Sequence, residues 1–210
     1  AEEIMIIKIV AAGSNLFSKL YRPSPEEMLI GVDGGIHDIQ RKGLVVDLGI
    51  GDFDSCNIED VVNSCSKVKV YPKEKDYSDL ELAIREVISI PHEKIVIYNA
   101  TGGRLDHFYA NLNILIKYYQ YNLEIVDTAN LIRIVCQSTK LEKTPYQYLS
   151  FFALEEGTII TLKGFKYELN GYHLEPLDNL CLSNELVGDG YLEVNNKKLL
   201  MIESNNPENK

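Results

Sequence analysis

Short, nearly unbroken apolar runs recur through the first half of the chain: Ile4 to Val10, Met28 to Val32, Val45 to Ile50, Val68 to Tyr71, Ile95 to Tyr98 and Leu123 to Val126. Runs of this length without polar alternation predict strands buried on both faces. Between them the period changes. Leu80, Ala83, Ile84, Val87 and Ile88 fall on one helical stripe, and Ser78 stands three residues before Glu81. That is capping-box spacing, which makes Ser78 the N-cap and puts Asp79 in the first turn. A second helix is predicted from about Asp106 to Tyr119, with Phe108, Leu112, Leu115 and Tyr119 on one face. Strands alternating with helices predict a parallel sheet with crossover helices.

After about Thr128 the texture changes. Leu131 to Cys136, Tyr148 to Ala153, Thr158 to Leu162, Leu192 to Val194 and Leu199 to Ile202 are short β-rich runs punctuated by Gly, Asn and Pro, with no helix of useful length between them. They predict a small antiparallel sandwich or barrel. The chain therefore reads as α/β: an N-terminal open parallel sheet with crossover helices over residues 1–128, plus a small C-terminal antiparallel β-sandwich over 129–210. Asn205 to Lys210 are polar and expected to fray.

Composition narrows the function classes. The 210 residues carry 21 Lys plus Arg against 31 Asp plus Glu, a formal net charge of -10. Hydrophobic residues make up 45 %, too many for a disordered chain. The acidic balance argues against a general nucleic-acid binder, which needs a basic stripe. No apolar run approaches the roughly 18 residues of a membrane span, and Lys8 interrupts the first. The start of the chain has no basic segment or cleavage site of a signal peptide, so a cytoplasmic protein is expected. Cys56, Cys65, Cys136 and Cys181 fit neither C-x-x-C nor a zinc spacing and read as thiols in a reducing compartment.

Four segments that follow predicted strands carry the chemistry. In Asp33-Gly34-Gly35 the glycines permit close backbone approach at a helix start. In Gly51-Asp52-Phe53-Asp54-Ser55, an extended segment would point Asp52 and Asp54 to one side and Phe53 into the core. Two such carboxylates repel unless a cation relieves them, and Mg²⁺ is the usual cation for hard oxygen ligands. The third segment, Lys73 to Asp79, brings Lys73, Lys75, Asp76 and Asp79. In the fourth, Thr101 to His107 followed by Asn111, Gly102 and Gly103 turn the chain and Arg104 offers a planar fork for phosphate oxygens. Asp106 is a helix N-cap candidate, and His107 reads as a structural histidine. Taken singly, each segment is also an ordinary turn, acidic loop or cap. Taken together, they share the carboxyl edge of one parallel sheet, where ligands bind. Asp33, Asp52, Asp54, Asp79, Arg104 and Asp106 would converge there as a site for a Mg²⁺-nucleotide, whose chemistry is chiefly positioning and charge stabilisation. P-loop, G-x-G-x-x-G, nucleophile-elbow and H-E-x-x-H patterns are absent from the sequence.

In order and spacing these segments resemble the thiamine pyrophosphokinase family, whose pattern runs D-G-G, G-D-F-D-S, D-x-[ST]-D and G-G-R-x-D-H with a following Asn. In the second half, Leu162 to Tyr167 resembles that family's G-hydrophobic-K-Y segment and Ser183-Asn184-Glu185 its S-N-E segment. The resemblance implies transfer of the pyrophosphoryl group of ATP to the hydroxyethyl oxygen of thiamine, giving thiamine diphosphate and AMP. It implies Mg²⁺ at Asp52, Asp54 and Asp79, with Arg104 and Asp106 also catalytic. ATP would meet Asp33, Gly34, Gly35, Lys73, Lys75, Gly102, Gly103, Arg104 and Asn111, and thiamine would meet Asp54, Asp76, Ser183 and Asn184. It further implies a homodimer with a shared substrate cleft, and neither nucleic acid nor membrane as partner. Position 78 is Ser where Thr is common, and the chain has no Trp to stack on thiamine. Another Mg²⁺-dependent nucleotide pyrophosphatase or transferase, or a non-enzymatic thiamine binder, would draw on the same residues.

Overall fold

The computed structural model describes residues 4–54 and 58–208, so Ser55 and Cys56 lie outside the described residues. The chain divides into two compact units that meet in sequence at Thr128 and Ala129.

The first unit holds six strands: β1 (Ile6–Val10), β2 (Glu27–Val32), β3 (Val46–Gly51), β4 (Cys65–Val70), β5 (Lys94–Tyr98) and β6 (Leu123–Val126). All five pairings between them are parallel, in the order β4-β3-β2-β1-β5-β6. Ile9 and Val10 are successive residues of β1 and both are fully buried. Neighbours on a strand point to opposite faces, so both faces are covered, which is why these runs lack polar alternation. The helices are α1 (Phe17–Leu20), α2 (Gly35–Gln40), α3 (Ile58–Ser64), α4 (Asp79–Val87) and α5 (Leu105–Lys117). The sheet winds outward from β1 to β4, then returns to the other side of β1 for β5. That reversal creates a switch point between the carboxyl ends of β1 and β5, where a crevice must open.

Local sequence explains most of these elements. Ser78 caps α4, its Oγ accepting from Glu81 N at 3.2 Å. The Glu81 carboxylate turns instead to Lys117, 2.7 Å away. Lys8, which breaks the first apolar run, is buried and donates to Glu27 Oε2 at 2.5 Å and to the Arg22 carbonyl at 2.7 Å. The predicted apolar face of α5 is covered in part: Leu115 is buried, Phe108 and Leu112 are half-buried, and Tyr119 falls in the turn beyond the helix end at Lys117, while Leu105 and Tyr109 are exposed. The pattern does not reveal α1 and α3, because four to seven residues show too few turns for a stripe.

The second unit is all β. Strand β13 (Leu199–Ser204) pairs antiparallel with β7 (Asn130–Val135) and β9 (Tyr148–Ala153). A second antiparallel sheet has the order β11-β10-β12-β8, from Leu169–His173, Ile159–Phe165, Leu186–Val194 and Thr139–Leu141. Leu149, Phe151, Leu199 and Met201 of the first sheet share one core with Leu162, Phe165 and Leu192 of the second, with Phe151 and Phe165 edge to face. Two faces enclosing one core make a sandwich, not a closed barrel. Asn205 does not fray: its N–H donates to the Ala129 carbonyl and its Oδ1 accepts from Gln147 N.

Candidate functional site

A cavity of about 730 Å³ opens at the switch point of the parallel sheet. Its wall comes from the carboxyl ends of five strands: Ala11 to Ser14 after β1, Asp33 after β2, Asp52 after β3, Lys73 and Lys75 after β4, and Asn99, Ala100 and Gly102 to Arg104 after β5. Ser78 and Asp79 at the start of α4, and His107 and Asn111 on α5, complete it.

Three carboxylates meet around one ammonium. Asp33 sits at φ 47°, and its carboxylate lies over β3 because position 51 has no side chain; a Cβ on Gly51 would stand 1.9 Å from Asp33 Oδ1. Burial pushes the Asp33 carboxyl up to about 7, helped by a hydrogen bond and negative charge from Asp79 and by Asp52, while Lys75 opposes the rise. Lys75 Nζ lies 2.7 Å from Asp79 Oδ1. Burial pulls this lysine down, but Asp79, Asp52 and Asp33 around it prevail and hold it above the usual lysine range.

Of the other predicted residues, Lys73, Gly102, Gly103, Arg104 and Asn111 also line the cavity, and the rest lie off it. Phe53 is buried, as the pattern predicts, but at φ 55°, so the segment is a turn and not extended. Asp54 N donates to Asp52 Oδ1, and the Asp54 side chain leaves the cavity for Lys73, 3.2 Å away. The expectation that both carboxylates point to one side is therefore corrected: alternation requires β backbone, and Phe53 does not have it. Asp76 is exposed and off the wall. Gly34 and Gly35 shape the α2 start without lining the cavity. Asp106 is not the N-cap of α5, a position taken by Arg104. Instead it binds both sides of the Arg104 fork, at 3.1 and 2.6 Å, which lowers its carboxyl. Arg104 itself reaches the wall with its side chain largely exposed.

Sequence reasoning missed the Ala11–Ser14 loop, Asn99 and Tyr77, and treated His107 as structural. The end of the first apolar run was the signal available for the loop. Tyr77 brings an aromatic ring to the wall, with Arg85 of α4 4.4 Å from the ring centre and Lys117 of α5 at 5.3 Å. In the second unit Ser183 is exposed at φ 58°. Asn184 is buried, and its amide is spent on the main chain: Oδ1 accepts from Tyr167 N and Glu185 N, and Nδ2 donates to the Tyr167 carbonyl. Asn184 thus orders its neighbours, with three of its four amide positions used on the main chain.

Among the described residues no group of three or more His, Cys, Asp and Glu is arranged to hold a metal ion unaided. The donor set nevertheless suits a hard divalent cation at a phosphate site, which takes one or two carboxylates and fills its shell with phosphate oxygens and water. The mutual repulsion of Asp33, Asp52 and Asp79 is what such a cation would relieve. Among the described residues no helix is long and apolar enough to cross a membrane.

Comparison with known proteins gives a consistent result in both units. Residues 23–126 match the family model described as thiamin pyrophosphokinase, catalytic domain, and residues 138–201 match thiamin pyrophosphokinase, vitamin B1 binding domain. A thiamine pyrophosphokinase of Bacillus subtilis is 36 % identical over 191 residues, covering 86 % of this chain and 89 % of the relative. The crystal structure of thiamin pyrophosphokinase from Geobacillus thermodenitrificans aligns with a TM-score of 0.85 at 33 % identity, over 97 % of this chain and 99 % of that one. The Bacillus subtilis crystal structure aligns with a TM-score of 0.84 at 32 % identity, over 96 % of this chain and 100 % of that one.

Proposed function

The chain belongs to the thiamin pyrophosphokinase family, and from that premise we propose how its own residues divide the work of making thiamine diphosphate. The hydroxyethyl oxygen of thiamine attacks the β-phosphorus of ATP, and AMP leaves. Asp52 and Asp79 would hold Mg²⁺, directly or through its waters; when bound, the ion offsets charge on the phosphates. Asp33 completes the acidic wall. Lys75 holds Asp79 in place and supplies positive charge beside the phosphates. Arg104, whose fork is shared with Asp106 at the rim, stabilises charge on the transferring group. Gly102, Gly103 and Asn111 shape the same wall; Asn111 does so by donating from Nδ2 to the Ala100 carbonyl at 2.9 Å. Asp54 and Lys73 belong to the rim and not to the metal. Thiamine is assigned to a cleft shared by two protomers, with Ser183 touching it and Asn184 acting through its hold on Tyr167. Exposed Leu105 and Tyr109 on α5 support a homodimer. The free thiols Cys65, Cys136 and Cys181, with ATP as donor, support a cytoplasmic location.

The observation that carries this reading is the convergence of Asp33, Asp52, Lys75, Asp79 and Arg104 on one cavity from four strand ends. The test is AMP release from ATP and Mg²⁺ with and without thiamine. AMP formed only with thiamine is expected. Release independent of thiamine would indicate a different nucleotide enzyme, and thiamine binding without turnover a binder. Sedimentation at assay concentration tests the dimer, and a fully active monomer would refute it.

A further inference from the structure

One buried side chain ties together the two loops that flank the switch point. Asn99 follows β5, is 3 % exposed and has φ 64°, in the left-handed region that Asn tolerates better than most residues. Its Oδ1 accepts from Leu16 N at 2.9 Å and Phe17 N at 3.0 Å, where the β1–α1 loop enters α1. Its Nδ2 donates to the Ala11 carbonyl at 3.2 Å and to Asp38 Oδ2 of α2 at 3.1 Å. An amide has two acceptor and two donor positions, and all four are used. The loop also packs directly on the Asn99 main chain, since a Cβ on Gly13 would stand 2.1 Å from the Asn99 carbonyl oxygen. Ala11 to Ser14, held in this way, form a wall of the cavity directly beside Gly102, where a Cβ would be 3.0 Å from Ser14 Oγ. Asn99 therefore has no side-chain atom left for a ligand, and its influence must pass through the loop.

We propose that Asn99 is a positioning residue for the nucleotide: it sets the Ala11–Ser14 loop at the height where its main chain and the Ser14 hydroxyl meet the phosphates of ATP. The inference rests on the pyrophosphokinase reading. The nucleotide is the substrate concerned because the loop faces the Gly102–Gly103–Arg104 segment, whose main chain and guanidinium are phosphate-type donors. A loop already fixed by a saturated buried amide binds without an ordering cost. A loop released from it must be ordered at each encounter, and that cost falls on affinity more than on bond breaking.

Two variants test this. Asn99→Gly keeps the left-handed backbone accessible and removes the four bonds. Gly13→Ala leaves Asn99 intact and drives a methyl group against its carbonyl. In steady-state AMP release with both substrates varied, each variant should raise the KM for ATP about tenfold, with the thiamine KM within about twofold and kcat within about threefold. A folded variant with the wild-type ATP KM overturns the proposal. So does an equal rise in both KM values, which a merely structural role would produce. Should Asn99→Gly fail to fold, Gly13→Ala decides. If the wild-type protein releases no thiamine-dependent AMP, the activity reading fails instead. Equilibrium dialysis with Mg²⁺-ATP then decides on the loop: about tenfold weaker binding by the variants supports it, and unchanged binding overturns it.

Discussion

The motif segments contain two sets of aspartates that the fold treats in opposite ways. Asp33, Asp52 and Asp79 line the cavity around Lys75. Asp54, Asp76 and Asp106 stand off its wall, Asp54 paired with Lys73 and Asp106 with Arg104. Asp33 is pushed up to about 7 by burial and like charge, whereas the Arg104 guanidinium holds Asp106 below the usual carboxylate range. Two residues of one type and one motif set thus shift in opposite directions. Sharing a motif does not mean sharing a role: the wall set stores repulsion that a cation can relieve, whereas Asp54 and Asp106 are each already paired with a cationic side chain.

The sharpest way to break this contrast is to remove one charge from each set. Asp52→Asn and Asp79→Asn should each lower kcat by about a hundredfold or more, the scale of lost transition-state charge stabilisation. Near-normal thiamine-dependent AMP release from either folded variant would erase the distinction. Gly51→Ala comes next, because its methyl group would displace the Asp33 carboxylate. A loss of about 1–3 kcal/mol is expected in urea unfolding, with a drop in activity of about tenfold. An unchanged urea midpoint would mean that the close approach has no consequence. The rim should respond least. Asp54→Asn breaks an exposed pair worth at most about 1 kcal/mol and should change kcat by less than about threefold. For Asp106→Asn, which frees the Arg104 fork, the ATP KM should stay level or fall by up to about threefold. A hundredfold loss of kcat in either rim variant would move that residue to the wall set.

Much of the first unit was legible because its signals are local. Ser78 caps α4 at the predicted spacing, Phe53 is buried, and the apolar runs form the six parallel strands. The carboxyl-edge location of Asp33, Asp52, Asp79 and Arg104 followed from strand order alone. Asp54 was misread because a single left-handed residue, Phe53, cancels the alternation of an extended segment. The Ser183-Asn184-Glu185 motif was visible in sequence, whereas the three bonds that tie the Asn184 amide to the main chain of Tyr167 and Glu185 were not.

The sequence by itself determined the two-unit plan, a buried parallel sheet followed by a sandwich, and the placing of its chemistry at strand ends. Those are consequences of periodicity and chain direction, which are written within each segment. Tertiary structure alone decided which carboxylates face the cavity and which are spent on a neighbour. It also bound Asn99 to Leu16 and Phe17, more than eighty positions away in the chain. Those partners are chosen by β5 lying beside β1, a long-range pairing that no local pattern encodes, and a buried amide then takes whatever donors and acceptors that pairing brings within reach.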